Sequence, residues 1–369
     1  MMEAIGNKKI CFIANNGGGA IPVDGERGKT RTYLNVFKKE NIDCDFVELH
    51  NWKKHPLSVF FKIRKGVRSC DVILLMAASK GTRILIPLIN FFNRKLKKRF
   101  IYSFIGLGPL SKTVNGLNDY QYQSLMSCQI KAKGRDAKFS KSLAKVDILM
   151  AETELIKTVT THYFGINNCS VLVNFRDSFF PNVCQKVILK PIKVIYLSRV
   201  TEIKGIFDLL DAIIELNKKE FSFKLDIYGP IQLNGENINI FSNYLNNHFF
   251  SYKGLLKMNA IIDTLSQYDL LCFPTRYKGE GVPGILTEAL MAGIPILSSD
   301  FPQISNILIP GFDSISYSFL DKSQLISQME IISKNPGRLN EIANNTKESR
   351  KRFSYNYCRN DFLSFIFGK

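Results

Sequence analysis

Two glutamates with seven residues between them, Glu280 and Glu288, stand in the stretch of this sequence that offers the most chemistry. It reads Phe273-Pro274-Thr275-Arg276-Tyr277-Lys278-Gly279-Glu280-Gly281-Val282-Pro283-Gly284-Ile285-Leu286-Thr287-Glu288-Ala289-Leu290-Met291-Ala292-Gly293-Ile294-Pro295. An apolar run ends at Pro274, a glycine-bearing loop carries Glu280, and Pro283 suits the first turn of a helix that continues to Ala292. Main-chain amides at that start, around Gly281, Val282, Pro283, Gly284 and Ile285, together with the helix dipole, suit an anionic phosphate. Carboxylates placed on either side of such a site can accept hydrogen bonds from sugar hydroxyls. Taken alone, the same two residues equally suit ordinary surface acids flanking a helix.

Other clusters could add to that chemistry. Tyr196-Leu197-Ser198-Arg199-Val200-Thr201-Glu202-Ile203-Lys204-Gly205 sets two cations, Arg199 and Lys204, just past a strand-like run. Fixed cations stabilise negative charge that develops on a departing group. Ile227-Tyr228-Gly229-Pro230 ends a further apolar run in a glycine turn, and Gly17-Gly18-Gly19 follows the first one, where amides of Gly18 and Gly19 could approach a ligand or simply let the chain turn. Gly28-Lys29-Thr30 hints at an NTP-binding loop, but Val23 stands where that motif needs glycine, and no dinucleotide fingerprint is present. The 4 histidines and 8 cysteines form no metal-ligand spacing, so no metal site is expected and the cysteines read as buried free thiols.

These residues need elements to position them. Short apolar runs at 10–14, 45–49, 72–77, 100–105, 148–151 and 171–173 predict buried parallel strands, with amphipathic helices at 30–39 and 57–67 between them. After a break at 179–191 the scheme repeats, with strands at 193–197, 225–228, 251–253, 270–273 and 296–299 and helices at 206–217, 258–267, 284–292 and 325–333. The expectation is an α/β protein of two Rossmann-like, doubly wound parallel-sheet domains facing a central cleft: residues 1–180, residues 181–350, and an aromatic terminal helix at 351–369 that packs back on the first.

Charge divides along the same boundary. Residues 1–180 hold 29 basic and 14 acidic side chains, a net of +15, whereas residues 181–369 hold 21 and 18, a net of +3. That asymmetry points to an anionic partner for the first half. The basic runs at 53–54, 62–68, 94–99 and 131–145 show no nucleic-acid-binding module and little aromatic interleaving. With 45% hydrophobic residues the chain is not of disordered composition, and its apolar stretches are too short to span a membrane or to open a secretory signal.

The combination of these stretches resembles glycosyltransferase family 4, the retaining GT-B enzymes that use nucleotide sugars, most strongly over residues 170–315. The resemblance rests on the Glu280/Glu288 spacing, the Arg199 and Lys204-Gly205 pattern, Gly229-Pro230 and Val173-Asn174. It implies that Arg199 and Lys204 hold the donor diphosphate, Glu280 contacts the transferred sugar, Glu288 the ribose, and Gly18 and Gly19 approach donor or acceptor. No bound cofactor or metal is implied; the donor would be a UDP-sugar first and GDP-mannose second. The acceptor would be a glycan, such as one on undecaprenyl diphosphate in surface-polysaccharide synthesis. The basic half would then place the protein in the cytoplasm, peripheral to the inner face of the membrane. A sugar-nucleotide epimerase of the same fold and a basic nucleic-acid-binding protein are the alternatives. One departure stands out: Ile105-Gly106-Leu107-Gly108-Pro109-Leu110 has no histidine where many relatives carry one near the reacting carbon.

Overall fold

The computed structural model describes residues 8–18, 25–177, 187–304 and 307–368. They form two compact units, each built on a six-stranded sheet whose strands are all parallel. Unit one comprises Met1–Asp177, Lys278–Pro283 and Ser354–Lys369; unit two comprises Ser178–Tyr277 and Gly284–Phe353.

In unit one the strands are β1 (Ile10–Ala14), β2 (Cys44–Glu48), β3 (Val72–Met76), β4 (Arg99–Ser103), β5 (Ile148–Ala151) and β6 (Cys169–Val171), in the order β2-β1-β3-β4-β5-β6. β1 and β3 are buried at every position, which is why they read as unbroken apolar runs rather than alternating ones. Successive residues still face opposite sides: Cys11, Ile13, Ile73 and Leu75 pack in one layer, and Ile10, Phe12, Val72 and Leu74 in the other. The second layer receives the terminal helix Tyr355–Phe367, whose Phe362 ring lies 5.0 Å from that of Tyr33.

In unit two the strands are β7 (Ile192–Leu197), β8 (Phe223–Tyr228), β9 (Phe250–Gly254), β10 (Leu270–Phe273), β11 (Ile296–Asp300) and β12 (Ser314–Ser318), in the order β12-β11-β10-β7-β8-β9. The chain winds outward from β7 to β9 and returns on the other side of β7 with β10. The loops after β7 and β10 therefore flank a topological switch point, the place where open α/β sheets leave room for a ligand.

Several elements depart from the sequence expectation. The strand expected at 171–173 is Cys169–Val171, so Val173 and Asn174 lie in the chain that leaves it. β12 was not expected, because its serine-rich Ser-Ile-Ser-Tyr-Ser offers only two apolar residues at the sheet edge. Helix Ser79–Asn93 forms with Pro87 inside it. Of the cysteines expected to be buried, Cys44 and Cys128 are half-buried, and Cys184 lies outside the described residues. Among the described residues no helix is long and apolar enough to cross a membrane.

Candidate functional site

In unit two the loops at the switch point are pressed together main chain to main chain. Gly205 is left-handed at φ +72, and a Cβ there would lie 1.8 Å from the carbonyl oxygen of Pro274. Gly229, at φ +128, stands in the same relation to Ser198, with a Cβ only 1.9 Å from its carbonyl oxygen. Neither position accepts a side chain, so the two glycines fix the ends of β7, β8 and β10 at a spacing that only bare backbone permits.

Further bonds complete this frame. Ser198 N–H donates to Tyr228 O (3.2 Å), Val200 N–H to Pro230 O (2.9 Å), Gln232 N–H to Val200 O (3.0 Å) and Arg276 N–H to Ile203 O (2.9 Å). The Tyr252 hydroxyl donates to Gly229 O at 2.8 Å, and that of Tyr196 to Arg199 O at 2.8 Å. Two cationic side chains rise from it. Arg199 is half-buried, with no side-chain partner among the described residues. Lys204 is buried, its Nζ 5.3 Å from the Tyr277 ring and 5.8 Å from that of Phe273, an aromatic lining that steadies an ammonium. Glu288 is half-buried on helix Gly284–Ala292 of the same unit. Arg199, Lys204, Gly229, Gly284, Ile285 and Glu288 thus all belong to unit two.

Glu280, Gly281, Val282 and Pro283 belong instead to unit one, where hydrogen bonds to the Val282 main chain and a close backbone approach at Gly281 hold them. Glu152, immediately after β5, is buried and receives Lys29 Nζ at 2.7 Å through Oε1, with both side chains only 2% exposed. Its other oxygen, Oε2, accepts the main-chain N–H of Val282 at 3.2 Å. Lys29 Nζ also donates to Phe104 O at 2.8 Å. Asn174 Nδ2 donates to Val282 O at 3.2 Å, and Asn174 Oδ1 accepts from Arg176 Nη1 at 2.7 Å. Burial pushes the Lys29 pKa down and the nearby Arg176 charge adds to this, against the opposing attraction of Glu152.

Backbone contact locks the same segment. A Cβ on Gly281 would stand 2.3 Å from Gly106 Cα, in the turn where a histidine was sought, and Gly106 itself has φ +60. Lys278 pairs with Asp119 and lies over the Tyr122 ring at 5.9 Å. Glu280 is consequently 7% exposed, unlike an ordinary surface acid.

Two expected amide contributions change in this light. The Val282 N–H is engaged by the Glu152 carboxylate and Pro283 has no N–H, so of the amides expected to greet a phosphate at the helix start, those of Gly281, Gly284 and Ile285 remain as candidates. At the loop after β1, Glu48 occupies the position of an anion: it accepts the N–H groups of Asn16 (2.9 Å), His50 (2.8 Å) and Gly18 (3.4 Å). Gly19 lies outside the described residues. Sequence reasoning missed Glu48, Glu152 and Arg176 and took Lys29 only as part of a rejected motif. The one available signal was an acid directly at the carboxyl end of an apolar parallel strand, at Glu48 and at Glu152.

Comparison with known proteins extends the picture. Residues 185–349 match the family model described as Glycosyl transferases group 1. No curated protein matches the chain by sequence. Among solved structures, HepE of Anabaena in complex with UDP-glucose is similar at a TM-score of 0.70 and 11% identity, over 98% of this chain and 100% of that one. Sucrose-phosphate synthase from Thermosynechococcus elongatus follows at 0.69 and 13%, over 96% and 97%. The lipopolysaccharide outer core galactosyltransferase WaaB, in its apo form, gives 0.66 and 19%, over 98% and 99%. At these identities the likeness is one of fold: the protein has the GT-B architecture.

Proposed function

We propose that the protein is a retaining glycosyltransferase of the family 4 type, moving a hexose-type sugar from a nucleotide diphosphate donor to a glycan acceptor. The observation that carries this reading is the rigid glycine-fixed frame of unit two with Arg199 and Lys204 set upon it at a switch point, in the region that matches a glycosyl transferase model. As the bond from sugar to phosphate breaks, negative charge accumulates on the departing diphosphate. Side-chain cations already in place stabilise it without reorganisation, in the role a divalent ion plays in other transferases. Each charge-assisted hydrogen bond contributes about 1.5–3 kcal/mol. In this reading Glu288 accepts from the ribose hydroxyls and Glu280 from the transferred sugar.

A UDP-sugar is the donor of first choice, supported by the UDP-glucose bound to a protein of the same fold. A lipid-diphosphate-linked glycan of surface-polysaccharide synthesis is the proposed acceptor, supported by the lipopolysaccharide outer core in the name of another protein of the same fold. The net +15 of residues 1–180 motivates peripheral association with the anionic inner face of the membrane.

Nucleotide release from a panel of UDP-, GDP- and ADP-sugars, with a lipid-diphosphate acceptor supplied, tests the reaction. Release should occur with one donor class and fall sharply in Lys204→Ala and Glu280→Ala proteins. Undiminished release in both would overturn the site assignment. Association should appear as sedimentation with anionic liposomes at low salt; equal sedimentation with neutral ones would count against it.

A further inference from the structure

The positive charge of unit one has a local form that the diffuse asymmetry does not reveal. Between helix Ser79–Asn93, the short helix Ser111–Val114 and helix Gly134–Leu143 lies a cavity of about 530 Å³, lined by four cations, Arg83, Lys112, Arg135 and Lys138, and one acid, Asp136.

The acid is already committed. Asp136 Oδ1 accepts from Arg83 Nη1 at 2.7 Å, while Oδ2 accepts the hydroxyls of Thr113 at 2.7 Å and Tyr163 at 2.8 Å. Arg83 is further fixed 5.0 Å over the Phe139 ring, and its Nε is buried without a hydrogen-bond partner. Lys112, Arg135 and Lys138 are exposed and make no ion pair among the described residues. A wall with one oriented guanidinium and three uncompensated cations is what a multiply charged oxyanion requires.

The helix that carries Arg83 also carries an apolar ridge. Ile84 and Phe91 are 54% and 57% exposed, and Phe92 packs at 5.0 Å against Phe60 of helix Pro56–Ser69, beside the exposed Phe61. Exposed aromatic and aliphatic side chains next to a cationic pocket suit an anion attached to an apolar tail.

We propose that this cavity is a binding site for a phosphate or diphosphate ester, distinct from the Arg199 and Lys204 frame of unit two. It narrows the anionic partner proposed above to one place, and rests on that reading only for the lipid source of the phosphate.

The test uses full-length protein carrying Lys204→Ala, so that the cations of unit two do not dominate, with and without Lys112→Ser/Arg135→Ser/Lys138→Ser. All three positions are exposed, so the triple variant should melt like its parent; Arg83→Gln is the second variant. Calorimetric titration with inorganic diphosphate should weaken by roughly tenfold or more in the triple variant. Sedimentation with phosphatidylcholine vesicles doped with phosphatidic acid should fall in parallel if the phosphate is lipid-borne. Loss of diphosphate binding with vesicle binding intact keeps the cavity as a site for a soluble phosphate ester. Loss of vesicle binding alone assigns it to a lipid headgroup. No diphosphate or vesicle binding by the parent, or equal binding of both probes by parent and variants, overturns the inference. Vesicle binding that survives every variant leaves the membrane association standing on other charges, so the two readings fail separately.

Discussion

The two units fasten the ends of their parallel strands by opposite means. In unit two the fastening is main chain against main chain: Gly205 meets Pro274 and Gly229 meets Ser198, at approaches that no side chain could share. In unit one, beside the main-chain approach of Gly281 to Gly106, it is charge: Glu48 gathers two amides after β1 and one after β2, and Glu152 joins Lys29 to the Val282 amide after β5. A frame of bare backbone keeps its shape without using ionic groups, so Arg199 and Lys204 can serve a ligand. A frame of buried ions uses its charges internally, and its product is a position, that of the segment bearing Glu280.

The most forceful way to break this contrast is to remove one buried charge. Lys29→Met leaves Glu152 uncompensated and should cost about 3–5 kcal/mol in denaturant unfolding. Lys29→Met with Glu152→Leu should recover much of that loss, because an apolar pair of similar volume replaces an ion pair at little cost. The double variant should nonetheless remain poor in sugar transfer, since the Val282 amide has lost its acceptor. If it transferred sugar as well as wild type, the positioning role of Glu152 would be refuted.

Gly229→Ala probes the other frame. Its φ of +128 and the contact with Ser198 O predict a loss of roughly 3 kcal/mol, read in the same unfolding experiment. Gly165 is left-handed, at φ +63, but has open space around it, so Gly165→Ala should cost only about 1 kcal/mol. Equal losses at the two glycines would mean that conformation, and not close approach, is what matters at Gly229.

Lys204→Ala should leave the frame standing and weaken the transition state by about 1.5–3 kcal/mol, roughly a 10- to 150-fold fall in kcat/KM, with little change in melting temperature. A loss of stability matching the loss of activity would move Lys204 from ligand to scaffold.

The smallest effect belongs to Glu40, which accepts two bonds from Arg359 (2.6 and 2.8 Å) and one from Tyr355 (2.9 Å), tying the terminal helix to unit one. The Arg359 bonds foremost hold its pKa below the usual carboxylate range. Its folded value being depressed, the stabilisation is complete above the unfolded value of about 4.3 and is lost as pH falls through the lower folded one. Glu40→Gln should cost roughly 1–2 kcal/mol near neutral pH, and thermal melts of variant and wild type should converge as the pH falls through the lowered folded value.

How much of this was legible beforehand follows from the same contrast. Gly205, Gly229, Arg199 and Lys204 announce themselves because a glycine or a cation just past an apolar run is a local pattern, complete within a few residues. Helix Gly284–Ala292 was legible for the same reason, from Pro283 and the periodicity after it. Lys29 and Glu152 are separated by 122 intervening residues, and although Glu152 directly follows an apolar run, nothing local to either residue pairs the two. The cavity around Arg83 draws on three helices, two of which carry too many polar residues to stand out by periodicity.

The sequence by itself determined the parallel α/β architecture, the repetition of that plan, the glycine turns that follow its apolar runs, and the uneven charge. Each depends on residue type and short-range spacing, which the chain carries wherever it folds. The tertiary structure alone decided that Glu280 is buried with unit one, that the Val282 amide is engaged by Glu152, and which positive charges of unit one are internal and which face an open cavity. Those outcomes depend on which distant charges meet out of water, where an ion must find a partner, and no local pattern in the sequence encodes that meeting.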